Sequence, residues 1–183
     1  LFASHAQEDK LLKDHDFDEF KKQICSAVTV DSFLTLQNGE LVDIFYETAS
    51  KVSSSSIEEL QSTSVVLKAT KSKETKEFIV NAYNSFQKYM LSSKEIDYTY
   101  VWDIFTRPNP KLFTKGINII LLEIISNDTQ DVRVICPTNV YSDYRYDNNM
   151  DFCIILKYGN YYEPVYGFKD SKDTSYMKAT FRR

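Results

Sequence analysis

A tight turn between two apolar runs constrains this chain more than any other feature of its sequence. Residues 151–168 read DFCIILKYGNYYEPVYGF, in which Gly159 and Asn160 separate two stretches of strand-forming residues. Turn residues of this kind between apolar runs predict a β-hairpin, because glycine and asparagine tolerate the backbone angles of a tight turn. We therefore expect a hairpin over residues 152–168, and with it a β-sheet near the C-terminal end.

The apolar pattern changes from a helical period to strands along the chain. In the first part, apolar residues recur at three- and four-residue spacing, as in residues 17–27, which is typical of amphipathic helices. Residues 117–125 (INIILLEII) then form a near-continuous apolar run, which is typical of a strand covered on both faces. Helices followed by strands predict an α+β fold, with a helical N-terminal part packed on a C-terminal sheet of about four strands.

Capping signals predict where two of the helices begin. Asp31 is expected to cap a short second helix. Ser56 and Glu59 have the spacing of a capping box, which predicts a further helix that continues to residue 69.

Chain length and the polarity of the two ends define the expected domain organisation. The 183 residues suffice for one domain with a sizeable core. We expect a flexible tail over residues 1–13, a single α+β domain over residues 14–170, and a charged tail with one helical turn over residues 171–183. Within the domain, residues 14–115 are predicted to be helical and residues 116–168 to form the sheet.

The net charge and the cysteine content indicate which binding partners and which cellular compartment to expect. The formal net charge of −4 disfavours a nucleic-acid-binding protein, because contact with phosphates takes clustered Lys and Arg. No apolar run reaches the roughly 18–20 residues that span a bilayer, so no membrane association is expected. Three cysteines in no paired motif indicate a reducing, intracellular compartment. Because the chain begins at Leu1, we expect it to be part of a longer polypeptide.

The sequence contains no complete catalytic or ligand-binding motif. His5 and His15 lack metal-ligand spacing, and no Gly-rich phosphate loop occurs. We therefore predict no catalytic, cofactor-binding or metal-binding residue. The alternative is a Mg²⁺-dependent nuclease that would use the carboxylates of Glu123, Asp151 and Glu163, with Lys169 as the nearby lysine. Glu123 interrupts an apolar run, so it also fits a buried carboxylate with a partner.

The predicted hairpin is similar to part of a known protease family. Residues 154–165 (IILKYGNYYEPV) resemble the closing hairpin of OTU-type cysteine proteases, and the stretch from Trp102 to the strand at residues 116–120 resembles their helix-then-strand lead-in. The resemblance covers residues 98–168 and would imply a thiol hydrolase. However, Tyr161 stands where the family has its general-base histidine, and a tyrosine with a pKa of about 10 is a poor base at neutral pH. The family's Asp-Gly-x-Cys nucleophile motif is also absent, so the resemblance implies a domain without the catalytic residues.

A second resemblance spans residues 31–168. Its blocks are residues 33–42 (FLTLQNGELV), 101–105 (VWDIF), 108–118, 135–139 (ICPTN) and 162–166 (YEPVY). They look similar to an uncharacterised domain found in large proteins of nucleocytoplasmic giant DNA viruses. This resemblance implies a viral protein in the host cytoplasm, the viral factory or the virion, and it assigns no function to individual residues.

Together these observations favour a non-catalytic protein-interaction or structural domain of a larger, viral protein. Its partner would be another protein or the remainder of the same polypeptide. Exposed tyrosines beside an arginine are typical of interface hot spots. The predicted interaction surface consists of Tyr141, Tyr144, Arg145, Tyr146 and Tyr161.

Two further interpretations stay open beside this one. The chain is an enzyme in the first, either a divergent OTU-like thiol hydrolase or a metal-dependent nuclease. In the second it binds nucleic acid through residues 68–76 (KATKSKETK), although this stretch is also typical of a solvated connector between helices.

Overall fold

The structure of the chain is a computed structural model. It describes residues 17–46, 54–92, 95–125, 131–135, 147, 149–165, 167–170, 173–178 and 180–181. The backbone contacts divide these residues into two compact units. One unit comprises Lys21–Ile104, and the other comprises the described residues before it, up to Phe20, and after it, from Phe105 onward.

The described residues up to 106 form helices joined by short connections. The helices are α1 (Phe17–Ala27), α2 (Val30–Phe33), a 3-10 helix (Leu36–Gly39), α3 (Glu40–Tyr46), α4 (Ser54–Thr63), α5 (Val65–Ala69), α6 (Lys73–Met90) and α7 (Tyr98–Thr106). The prediction of a helical N-terminal part is confirmed.

Polar side chains determine where two of these helices begin. Thr29, rather than Asp31, is the N-cap residue of α2. The Asp31 carboxylate instead accepts hydrogen bonds from the backbone N–H groups of Val65 and Val66, at 2.9 and 3.2 Å, and it is also bonded to the hydroxyl of the α5 N-cap residue, Ser64. The single helix expected up to residue 69 is therefore divided into α4 and α5, because these bonds satisfy the free N–H groups of a new helix start.

An aromatic cluster forms the centre of the helical unit. The ring of Phe86 in α6 lies 5.2 Å from that of Phe33 in α2 and 5.3 Å from that of Phe45 in α3, measured between centroids. Phe86 and Phe33 are fully buried. Burying each phenylalanine stabilises the fold by roughly 1.5–3 kcal/mol relative to leaving it exposed. The apolar faces of α2, α3 and α6 thus explain why these helices pack together.

The second unit contains a mixed sheet. Its strands are β1 (Asn118–Ile124), β2 (Val132–Ile135), β3 (Phe152–Tyr158) and β4 (Tyr161–Pro164), in the spatial order β2-β1-β3-β4. The pair β1 and β3 is parallel, whereas β2 runs antiparallel to β1 and β4 runs antiparallel to β3. Helices before residue 107 and this sheet after it confirm the α+β class.

The hairpin turn lies where the sequence predicts it, but the second arm is shorter than expected. Tyr158 pairs with Tyr161, so the turn consists of Gly159 and Asn160. The arm β4 then ends at Pro164 instead of continuing to residue 168. One backbone bond to β3 continues beyond the proline, because the N–H of Val165 donates to the carbonyl of Ile154 at 2.9 Å.

The C-terminal residues form strands where a helical turn was expected. Strands β5 (Gly167–Asp170) and β6 (Asp173–Lys178) form a separate antiparallel pair, and β7 (Thr180–Phe181) pairs with the start of β3. The predicted helical turn in the C-terminal tail is wrong.

A buried asparagine aligns the starts of β1 and β3. The side chain of Asn118 donates to the carbonyl of Asp147 at 2.6 Å and accepts from its N–H at 2.8 Å. The N–H of Asn118 donates to the carbonyl of Asp151 at 2.8 Å. These bonds connect residues 29 and 33 positions apart in the sequence. They set the register in which β1 and β3 present their side chains.

Candidate protein-interaction face

The two faces of the sheet differ in burial. Side chains directly opposite each other on neighbouring strands point to the same side of a sheet, and successive residues alternate between sides. One side carries Ile119, Leu121, Cys153 and Ile155, all of which are buried. The other side, called the open face here, carries apolar residues that are exposed or only partly buried. They are Ile120, Leu122, Ile124, Val132, Val134, Ile154, Leu156, Tyr158 and Tyr161.

The open face is ordered in rows across the strands. Val134 lies opposite Leu122, which lies opposite Leu156, and Glu163 closes this row on β4. The two most exposed apolar residues of this face lie on the outer strands β2 and β4, with 64% of Val134 and 76% of Tyr161 accessible to solvent. The apolar residues thus form a continuous surface from one edge strand to the other.

On the side of the sheet that carries the buried residues, a row of charged side chains crosses the strands near their ends. Glu123 lies opposite Arg133 of β2 and Lys157 of β3. Arg133 donates from Nε to Oε2 of Glu123 at 2.6 Å, and the Lys157 ammonium bonds to Oε1. The hydrogen bond from Lys157, followed by that from Arg133, lowers the pKa of the Glu123 carboxyl. The side chain is only 15% exposed, so the interpretation of Glu123 as a carboxylate with partners is supported.

The carboxylates of the nuclease alternative do not converge. Both oxygens of Glu123 already accept hydrogen bonds from basic side chains. Glu163 pairs with Leu156 and therefore lies on the open face, opposite to the side of Glu123. Asp151 precedes β3 and is six residues from Lys157, the neighbour of Glu123. At a rise of about 3.3 Å per residue this separation is roughly 20 Å.

A metal ion needs several ligands within a few ångströms of one point. No group of three or more His, Cys, Asp and Glu side chains with that arrangement occurs among the residues that the structure describes.

The described thiols have properties opposite to those of an activated nucleophile. Burial raises the pKa of Cys25 to about 11 and that of Cys153 to about 12, so both are protonated at neutral pH. Cys153 lies opposite Ile119 on the buried side of the sheet. Tyr161, at the position aligned with the protease histidine, lies on the open face beside the turn. Cys136 lies outside the described residues.

The structure describes one of the five residues of the predicted interaction surface. Tyr161 is highly exposed beside the hairpin turn, as a surface residue should be. Tyr141, Tyr144, Arg145 and Tyr146 lie outside the described residues. The exposed positions of Val132 and Val134 on the open face were not predicted from the sequence. The signal was present in the alternation of apolar and charged residues in VRVI, which is typical of a strand with one face open to solvent.

No protein-family model, curated protein or solved structure matches the chain. The resemblances to the giant-virus domain and to OTU-type proteases stay predictions.

Among the helices that the structure describes, none combines the length and the apolar character needed to cross a membrane.

Proposed function

We propose that this chain is a non-catalytic protein-interaction domain of a larger protein, and that the open face of its sheet binds the partner. The observation that carries the proposal is the contiguous apolar surface of the open face, which extends across the strands between the exposed residues Val134 and Tyr161. Contiguous exposed apolar surface on a folded protein marks interaction sites, because leaving it in water is unfavourable. The matching surface on the partner would be an apolar patch or strand of another protein.

The tyrosines at the turn strengthen this proposal. Tyr158 and Tyr161 face each other across the hairpin, and both are exposed. A tyrosine contributes a large rigid apolar ring together with a hydroxyl group, which explains its enrichment among the residues that dominate binding energy. Glu163, in the row next to Tyr161, supplies a polar rim.

The setting of the proposed interaction follows from the second resemblance. A domain similar to those of giant-virus proteins would meet its partner in the host cytoplasm, the viral factory or the virion. The partner is then another protein of that compartment or the remainder of the same polypeptide.

Site-specific photo-crosslinking tests the proposal. A benzoylphenylalanine replaces Tyr161 in one variant and Tyr46 in the control, because Tyr46 is an exposed tyrosine in α3, outside the sheet. In cells that produce the parent protein, we expect one discrete crosslinked protein from position 161 and none from position 46. That protein is then purified and its affinity for the domain is measured.

The affinity measurement includes a matched pair of variants. Val134→Lys removes apolar surface from the open face, whereas Val65→Lys changes an equally exposed valine in α5. We expect Val134→Lys to weaken binding about tenfold or more, because it places a charge in an apolar interface, and Val65→Lys to leave it unchanged. Equal crosslinking from both tyrosine positions, or equal affinities of the two lysine variants, would contradict the proposal.

A further inference from the structure

None of the described strands pairs with the outer edge of β2. β2 ends the strand order, and among the described strands it pairs only with β1. In an antiparallel pair, opposed residues alternate between those that exchange hydrogen bonds and those that do not. The N–H of Ile125 donates to the carbonyl of Asp131 at 3.1 Å, so this pair is of the bonded kind.

This alternation assigns a direction to each backbone group of β2. Two residues on from Asp131, the backbone of Arg133 therefore exchanges hydrogen bonds with the backbone of Glu123 in β1. After two more residues, the backbone of Ile135 does so with that of Leu121. The N–H and C=O groups of Val132 and Val134 therefore point away from β1, toward the outer edge. Their side chains belong to the open face.

We propose that β2 accepts an additional β-strand from the partner in antiparallel orientation, and that this strand alternates apolar and acidic residues. This inference rests on the proposed function and specifies how the partner binds. An extended segment satisfies the outward N–H and C=O groups of Val132 and Val134, which is the mode of recognition known as β-augmentation.

The open face determines the apolar positions of the incoming strand. Residues of that strand opposite Val132 and Val134 point to the open face, where they extend the apolar rows by one strand. β-branched side chains suit these positions because they pack well on a pleated surface.

The charged row on the other face determines the acidic position. Along this row the charges alternate from Lys157 through Glu123 to Arg133, and Arg133 at the edge is largely exposed. A residue opposite Arg133 on the incoming strand continues the alternation if it is Asp or Glu. Opposite charges directly across a strand pair stabilise the pairing, and like charges oppose it.

The positive charge of Arg133 also disfavours a second copy of this chain as the source of the added strand. A symmetric antiparallel pair that uses the outward groups of Val132 and Val134 from each copy places Arg133 opposite Arg133. The favoured occupant is therefore a strand of different sequence.

Synthetic peptides test the inference on the intact chain. The probe is a short fluorescein-labelled peptide with Val-Glu-Val-Glu-Val at its centre, and binding is measured by fluorescence anisotropy. Two controls have the same sequence and carry N-methyl groups on the valine amides or on the glutamate amides. The valine amides face β2 in the proposed pairing, so their methylation should weaken binding about tenfold or more, whereas methylation of the glutamate amides should change it by less than about twofold. Equal effects of the two methylation patterns overturn the inference.

A fourth peptide and three protein variants test the charge requirement and the location of the binding site. Replacing the glutamates by lysines should weaken binding roughly threefold or more, and Arg133→Gln should remove this preference. Val134→Lys should abolish binding of the first peptide, and Val65→Lys should not. Because the methylated peptides need no protein variant, a variant that fails to fold leaves the inference testable.

The outcomes separate this inference from the proposed function. If the first peptide does not bind while Tyr161 still crosslinks to one protein, the added strand is wrong and the interaction face stands. If neither is observed, both proposals fail. If the lysine peptide binds as well as the glutamate peptide, the acidic pattern is wrong. A dimer of the chain that the first peptide does not dissociate would identify a second copy as the occupant and overturn the inference.

Discussion

Gly116 occupies a position that no other residue fits, between α7 and β1. Its φ of +78° lies in the left-handed region, and a Cβ atom there would be 2.4 Å from the carbonyl oxygen of Thr106. The N–H of the next residue, Ile117, donates to the carbonyl of Phe105 at 2.9 Å. The chain therefore passes close to the end of α7 before it enters β1, and it can do so only without a side chain.

The contact at Gly116 predicts a large loss of stability for Gly116→Ala. We expect a decrease of about 2–4 kcal/mol in the free energy of unfolding, from the strained backbone and the steric clash together. Gly159→Ala is the matched control, since Gly159 also has a positive φ but no atom within 4 Å of an added Cβ. It should lose only about 1 kcal/mol. Urea denaturation of both variants measures the two effects, and similar losses would contradict the clash at Gly116.

A left-handed turn in the helical unit shows how a polar side chain supports an uncommon backbone conformation. Gln37 and Asn38 both have positive φ, at 46° and 56°. The buried carboxylate of Asp103 accepts a hydrogen bond from the N–H of Gln37 at 2.8 Å. The sequence indicates a helix end here, because asparagine and the following glycine tolerate this conformation. The contribution of Asp103 was not predictable, since it lies 66 positions further along the chain.

At the scale of elements, the charged row connects three strands. Glu123 in β1 bonds to one basic residue on each neighbouring strand, Arg133 in β2 and Lys157 in β3. The apolar run of β1 identifies the strand from sequence alone. The partners of its one carboxylate depend on the strand order and register, which local patterns do not specify.

The lowered pKa of Glu123 predicts a pH dependence of stability. Below the ordinary value of 4.5, the unfolded chain takes up a proton at this group before the folded chain does. The contribution of Glu123 is therefore fully present above pH 4.5, and it is lost as the pH falls through the lower pKa of the folded state. Glu123→Gln should be less stable than the natural chain at neutral pH, and the difference should shrink as the pH falls below 4.5.

Denaturation at several pH values measures this difference. Glu163→Gln is the control, because Glu163 is an exposed carboxylate on the open face. A stability difference for Glu123→Gln that is independent of pH would show that the effect comes from packing instead of charge.

The hairpin and the C-terminal strands show which elements the sequence could specify. The turn at Gly159 and Asn160 was predictable, because turn chemistry acts over a few neighbouring residues. The strands β5, β6 and β7 were not predicted, since their residues carry a polar and charged pattern with weak local preference for a strand. Their pairing with each other and with β3 is a tertiary effect.

At the scale of the whole molecule, the state of the thiols distinguishes an interaction domain from a thiol hydrolase. The thiolate is the reactive form of cysteine, and the pKa of Cys25, about 11 against an ordinary value of 9.0, leaves little of it at neutral pH. We expect iodoacetamide to modify Cys25 about a hundredfold more slowly than a free thiol. Cys153, which is buried, should react only after unfolding.

Mass spectrometry of the natively labelled chain measures the rate at each cysteine. The same reaction in denaturant is the control, in which both residues should react at the rate of a free thiol. Fast native labelling of Cys25 would contradict the raised pKa and would favour the hydrolase alternative.

The sequence by itself determined the class of the fold, with helices in the first part of the chain and a sheet after them. The period of apolar residues and the turn residues act locally, so the helical character of the chain before residue 107, the strand β1 and the hairpin turn follow from them. It also placed Tyr161 on the predicted interaction surface, and the structure shows that this residue is exposed.

Only the tertiary structure decided which groups meet. The parallel pairing of β1 with β3 brings together segments that lie 34 positions apart, as at Glu123 and Lys157, and it leaves β2 at an edge. Strand order and register then determine which side of the sheet is open and which backbone groups of Val132 and Val134 point outward. The physical reason is that pairing between distant strands depends on the summed contacts of the folded chain, whereas each local pattern is compatible with several partners.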